Sequence, residues 1–204
     1  MKIKITFLEE TLGLSPSSPE ILDEFIASKA PDAMSVEEEI EALGEEAVIN
    51  KSKTIFPRID GKPIIWDYQM KGYFKDACGM LARAKGTKSS QLTAYRKTID
   101  GLLFVYPRAI ELNLPKGMML GECQRPLRVS GPKGDRVAIA ASETAPIGTT
   151  AEFEISFMDL KASKVSMQDL IVEWLDYGKM RGFSQWRNSG KGRFSWEELK
   201  QEPT

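Results

Sequence analysis

Histidine is absent from all 204 residues, and cysteine occurs twice, at Cys78 and Cys123. The two thiols share no C-x-x-C motif, and without histidine the usual zinc sites are excluded. The same absence removes a histidine general base, a Ser-His-Asp triad and a Cys-His dyad. Apolar runs are short, and the opening MKIKITFLEE has no signal-peptide stretch. These absences predict a cytoplasmic protein with reduced thiols, no membrane partner, no metal and no cofactor.

Charge is nearly balanced, with 28 basic and 29 acidic residues, so no global sign of nucleic-acid affinity emerges. The balance hides an asymmetry. Residues 1–50 hold 12 acidic and 3 basic residues, net −9, which leaves net +8 for 51–204. Length and a hydrophobic content of 42% predict one domain over 1–204 that needs no disulfide staple. Within it, 16–46 reads as an acidic helical insertion: helices fit 20–28 and 35–43, and Ser35 with Glu38 forms a capping-box pattern.

The alternation Lys2-Ile3-Lys4-Ile5-Thr6-Phe7 predicts a half-buried strand. A strand-like Ile64-Ile65-Trp66 precedes a helical pattern over 68–83, with Met70, Phe74, Ala77, Cys78 and Leu81 on one stripe. Strands are predicted at 102–106 and 109–114, and turn-punctuated β-structure from 117 to 160. Ser166, followed by Asp169, caps a helix carrying Leu170, Ile171, Trp174 and Leu175, and Gly178 stands where a helix stop is expected. A final strand fits 193–196. The order predicts an α+β fold, with a ferredoxin-like or RRM-like core built on an antiparallel sheet. Trp66, Trp174 and Tyr106 are expected in its core.

The stretch between Tyr177 and Trp196 holds the densest chemistry. It carries Gly178, Gly182, Gly190 and Gly192, the cations Lys179, Arg181, Arg187, Lys191 and Arg193, and the aromatics Phe183 and Trp186, with no acid from 178 to 193. Glycines admit phosphates close to backbone N–H groups, arginines grip them bidentately, and aromatic faces stack bases. The bland alternative is a basic turn whose glycines only satisfy left-handed geometry. No Walker pattern is present. A second basic tract runs through Lys71, Lys75 and Arg83 to Lys85, Lys88, Arg96 and Lys97, against Asp76 alone. It fits either a phosphate-tracking groove or a charged helix surface followed by a mobile loop at 86–90. Gln124-Arg125-Pro126-Leu127-Arg128 reads as a basic edge strand. Asp67, Asp76 and Asp100 are too scattered to predict a metal-assisted hydrolase.

Three segments together resemble the RAMP superfamily of CRISPR-associated proteins. The glycine-rich stretch between a capped helix and a terminal strand is similar to that superfamily's glycine-rich loop. Residues 62–75, KPIIWDYQMKGYFK, are similar to its strand-to-helix segment, with Trp66-Asp67-Tyr68-Gln69 in place of the usual Ser-rich turn. Residues 143–149, ETAPIGT, are similar to the turn before a central strand in its backbone members. The resemblance implies a ferredoxin-like core that binds single-stranded guide-type RNA, with other protein subunits or copies of itself as partners; it does not imply catalysis, and the expectation here is non-catalytic binding. Its expected RNA contacts are Lys71, Lys75, Lys179, Arg181, Gly182, Phe183, Trp186, Arg187, Gly190, Lys191, Gly192 and Arg193. The RNA-processing members use a histidine that this chain lacks. The rival expectation is a stand-alone, phage-encoded relative that blocks a defence complex or sequesters a nucleotide signal, which the acidic 20–46 segment favours.

Overall fold

A computed structural model describes residues 1–17, 53–131, 134–160 and 165–200. Nearly all of the acidic segment 16–46 lies outside these residues, as do both helices expected in it. The elements are β1 (Lys2–Phe7), β2 (Thr11–Leu12), β3 (Ser15–Pro16), β4 (Thr54–Ile55), β5 (Arg58–Ile59), β6 (Lys62–Trp66), α1 (Asp67–Leu81), α2 (Tyr95–Leu102), β7 (Leu103–Tyr106) and β8 (Ala109–Asn113). There follow β9 (Gly121–Gly131), β10 (Gly134–Ala145), β11 (Thr150–Phe157), α3 (Met167–Arg181) and β12 (Phe194–Glu198).

The fold divides into two compact units. The first contains residues 1–11, 57–119 and 145–204. Its sheet runs β12-β1-β11-β8-β6-β5, with β7 also pairing β11. β1 lies antiparallel between β11 (Ile3 opposite Phe153) and β12 (Phe7 opposite Phe194). With α1 on the path from β1 to β7 and α3 on the path from β11 to β12, this is the ferredoxin-like βαββαβ arrangement. The alternation of the first strand decides its register: Ile3, Ile5 and Phe7 are buried beside Ala151, Phe153 and Ile155, while Lys2, Lys4 and Thr6 stay on the other face.

Two helical stripes close this core. α1 buries Met70, Tyr73, Phe74, Ala77 and Cys78, and α3 buries Leu170, Ile171, Trp174 and Leu175. The aromatic rings of Phe7, Tyr73, Phe74, Trp174, Phe183 and Phe194 pack at centroid separations of 5.2 to 6.4 Å. Each such side chain contributes about 1.5–3 kcal/mol through burial. The Tyr73 hydroxyl donates to the Trp174 carbonyl at 2.6 Å, so burial of the ring leaves no phenol oxygen unsatisfied.

The second unit contains residues 12–56 and 120–144. Its sheet runs β2-β10-β4-β3, and the long β9–β10 hairpin is attached by antiparallel pairing from Gly121 opposite Thr144 to Gly131 opposite Gly134. The β-rich run expected over 117–160 is therefore split between two sheets. Thr54 Oγ1 and Ser142 Oγ share a hydrogen bond of 2.8 Å, and the Phe56 N–H donates to the Glu143 carboxylate at 3.0 Å, so short β4 is held by side chains as well as by its ladder. Lys53 and Glu122 form an ion pair across the same sheet. Pro126 sits on β9, which pairs with β10 alone among the described strands, in keeping with an edge position.

Three sequence expectations change. Gly178 is not a helix stop: α3 runs on to Arg181, and Gly178 is buried where an added Cβ would lie 2.4 Å from the Phe194 ring. Glycine there serves close helix–strand approach. Tyr106 is 52% exposed, not core, because it ends β7 on the side away from buried Leu103 and Val105. α2 has no counterpart in the predicted pattern, since its eight residues bury only Ile99 and are too few to repeat an apolar stripe.

Candidate nucleic-acid interface

α3 begins where its cap predicts. The Ser166 Oγ accepts from the Asp169 N–H at 3.0 Å. Lys88 Nζ, 2.7 Å from Asp169, holds that carboxyl below its ordinary range, with help from Ser166. Leaving α3 at Gly182, the chain forms a narrow neck. Phe183 N–H donates to the Gly192 carbonyl at 2.7 Å, Gly192 N–H to the Glu10 carbonyl at 2.8 Å, and Leu8 N–H to the Arg193 carbonyl at 2.7 Å. At Gly192, with φ of 72°, an added Cβ would lie 1.9 Å from the Phe183 carbonyl oxygen. The tip is a 3-10 turn over Arg187–Ser189, entered through Trp186 at φ 55° and left through Gly190 at φ 82°.

This geometry corrects part of the phosphate-nest expectation. The N–H groups of Gly182, Gly190 and Gly192 are spent on the carbonyls of Gly178, Arg187 and Glu10. The glycines thus build the neck and the turn, which is the blander of the two alternatives raised by the sequence. Phe183 is 1% exposed, locked between Phe7 and Tyr73, and presents no face to a base. Trp186, at 39% exposure, is the loop aromatic open to solvent.

The cations of the loop face carboxylates from distant parts of the chain. Arg181 grips Asp76 through Nε at 2.9 Å and Nη2 at 3.3 Å, and reaches the Asn188 side-chain oxygen at 3.1 Å. The Asp76 carboxylate pushes the Arg181 guanidinium to hold its proton still more firmly. Arg187 meets the same carboxylate at 2.8 Å. Lys191 pairs with Glu10 at 2.6 Å and Arg193 with Glu9 at 2.7 Å. Three carboxylates thus oppose four cations, and the surplus charge lies where Arg181 and Arg187 share Asp76. Lys179 is exposed and has no ion pair among the described residues.

Lys71 and Lys75 are not gathered to the loop. Lys75 pairs with Asp100 at 2.5 Å, and Lys71 reaches the Asp100 carbonyl at 3.3 Å and lies 5.0 Å from the Phe104 ring centre. Asp67, the third carboxylate of that region, pairs with Arg108 at 3.3 Å. On the sheet face away from the helices, β1, β11 and β12 present Lys2, Lys4, Glu152, Glu154 and Glu197. RRM domains stack bases on aromatics of the sheet; these three strands offer charges of both signs there instead. Glu9 and Glu10 belong to the loop's chemistry although no motif in the sequence contains them. Their signal is topological: antiparallel β1 and β12 place the residues after one beside those before the other.

No family model and no curated protein matches the chain. Among solved structures it is similar to a chain of the cryo-EM structure of the Type III-B Cmr-beta complex bound to cognate target RNA, with TM-score 0.55 and 12% identity over 98% of this chain. The likeness is one of fold. This chain spans 58% of the length of that one. Weaker likenesses are to Cmr6 from Pyrococcus furiosus (TM-score 0.45, 12% identity, 96% of this chain and 97% of that one) and to a chain of a Type IV-B CRISPR complex (0.40, 11%, 100% and 94%). The first likeness agrees with the ferredoxin-like core built by β1, β11 and β12. No helix among the described residues is long and apolar enough to cross a membrane.

Proposed function

We propose that this chain is a non-catalytic RNA-binding subunit of RAMP-like fold, which holds single-stranded RNA against the tip of the loop between α3 and β12. The carrying observation is that loop's place: a rigid, glycine-built neck rising between the last helix and last strand of a ferredoxin-like sheet, in a fold similar to that of a chain of the Type III-B Cmr-beta structure bound to cognate target RNA. The RNA-facing groups are narrowed to Trp186, Arg187, Arg181 and Lys179. Lys191 and Arg193 instead tie the neck to Glu10 and Glu9. Catalysis has no part in the proposal, since Asp67, Asp76 and Asp100 each face a cation in a different place.

One observation favours a second reading. The pairing of loop cations with Glu9, Glu10 and Asp76 leaves less free charge than the sequence suggests, as suits a stand-alone relative that blocks a defence complex or sequesters a nucleotide signal. Recovering the tagged protein from cells and sizing its co-purified nucleic acid separates the two. Long nuclease-protected RNA supports the subunit; a bound nucleotide, or no nucleic acid, supports the rival. For the subunit, Trp186→Ala should weaken RNA binding by about 1–3 kcal/mol without changing its salt dependence. Unchanged affinity in that variant removes the tip from the interface.

A further inference from the structure

From Ala77 to Ile99 the chain holds five cations and no acid. The structure shows which of them are spent. Lys88 is paired with Asp169. Arg83, Lys85, Arg96 and Lys97 are exposed and form no ion pair among the described residues. In contrast with the loop at Gly182–Arg193, four of this segment's five cations stay unneutralised among the described residues.

The segment is also pinned. The Glu173 carboxylate, on α3, accepts the Lys88 N–H at 2.6 Å, the Ser89 N–H at 2.9 Å and the Ser89 hydroxyl at 2.5 Å. Trp174 Nε1 donates to the same hydroxyl at 2.9 Å, and Ser89 is fully buried. Thr87 Oγ1 donates to the Leu81 and Ala84 carbonyls at 2.7 and 3.1 Å, closing the turn after α1. The Tyr95 hydroxyl lies 2.7 Å from where a Cβ on Gly79 would stand, so the first residue of α2, which precedes Arg96 and Lys97, rests its side chain on α1 four residues before Arg83. The loop at 86–90, mobile in one of the two readings of the sequence, is held by these hydrogen bonds. Ordering a basic loop in advance lowers the entropy cost when it grips a polyanion.

From these two observations, unneutralised charge and a hydrogen-bonded clamp, we infer that Arg83, Lys85, Arg96 and Lys97 form a second site for the phosphodiester backbone of the RNA strand. This inference rests on the RNA-binding proposal and extends it. Glu173, which sets the clamp, stands eight residues before Arg181 on α3, about 12 Å along the helix axis. The clamped segment and the loop are thus both anchored on α3.

The test compares the parent, the combined variant R83Q/K85Q/R96Q/K97Q and the tip variant K179Q/R187Q on a fluorescent 40-nucleotide RNA across a salt series. All four patch substitutions are at exposed positions without ion pairs among the described residues, so the fold should persist. The patch variant should bind roughly tenfold or more weakly at low salt, with the slope of log affinity against log salt reduced by up to about 2.8, at 0.7 for each phosphate no longer neutralised. In the parent, RNA should protect Lys85 and Lys97 from acetylation. If the patch variant binds as the parent does while the tip variant weakens, the second site is refuted and the RNA-binding proposal stands. Reactive Lys85 and Lys97 in the complex refute the site in the same way. A parent that binds no RNA overturns both.

Discussion

Asp76 is the hinge of the loop's electrostatics, and Asp76→Asn separates its structural from its functional weight. Its carboxylate sits between two guanidiniums, with side-chain exposures of 20% for Asp76, 19% for Arg181 and 27% for Arg187. Exposed pairs contribute about 0–1 kcal/mol, and breaking a buried one costs about 3–5. At these exposures an intermediate cost of about 2 kcal/mol is expected. For a chain of this length that lowers the melting temperature by about 4–8 °C. The effect on RNA has the opposite sign. Without the carboxylate Arg187 has no competitor for phosphate, so affinity at low salt should rise and the salt slope steepen by up to about 0.7. Differential scanning fluorimetry and fluorescence anisotropy on one preparation give both numbers. A melting temperature within about 1 °C of the parent refutes the structural pair. A weaker RNA complex refutes the competition, because Asp76 would then be orienting the guanidiniums for the ligand.

Gly192→Ala should prevent or severely weaken folding, since the new methyl group meets the Phe183 carbonyl, whereas Gly190→Ala, with no neighbouring atom nearer than 3.7 Å, should cost only the left-handed strain of about 1–2 kcal/mol; urea melts of the two variants test the contrast. Burial, then the nearby Asp76 charge, pushes the Tyr73 phenol far above its ordinary value of 10. Because the folded form keeps the proton, its contribution to stability is full below pH 10 and falls as pH climbs above it. An ultraviolet titration should therefore leave this tyrosine un-ionised until the protein unfolds, and Tyr73→Phe should flatten the alkaline loss. Burial pushes the Cys78 thiol up to about 11, while Cys123 is half-exposed. Iodoacetamide at pH 8 should label Cys123 first and Cys78 only on denaturation; equal rates in the native protein contradict the packing around Ser89 and Trp174.

The parts of this fold legible from sequence are those set by local rules. Period-two alternation marks β1, the Ser166 cap marks the start of α3, and the apolar stripe from Met70 to Leu81 marks α1. Gly178 misleads because a glycine at a helix stop and a glycine under an aromatic ring look alike in sequence; Phe194, which decides between them, is sixteen positions away. The loop's chemistry is legible in composition and misleading in availability. Asp76, Glu9 and Glu10 neutralise cations 105 to 184 positions distant, and no window of sequence contains both partners. The clamp at Glu173 is hidden for the same reason, so a fixed basic segment can read as a mobile one.

The central place of β1 has a consequence for how the chain is made. Its two neighbours, β11 and β12, lie roughly 150 and 190 residues downstream in the register of Lys2 with Glu154 and Ile3 with Glu198. At about 5–20 residues per second, β1 leaves the ribosome roughly 10–40 s ahead of its last partner. Until then it is a strand with two open edges and an apolar face, the state most exposed to mispairing with other chains. Its lysines at positions 2 and 4, which alternate with that apolar face, keep it soluble during the wait. The first unit therefore closes late, when β12 arrives and brings the loop that precedes it into place.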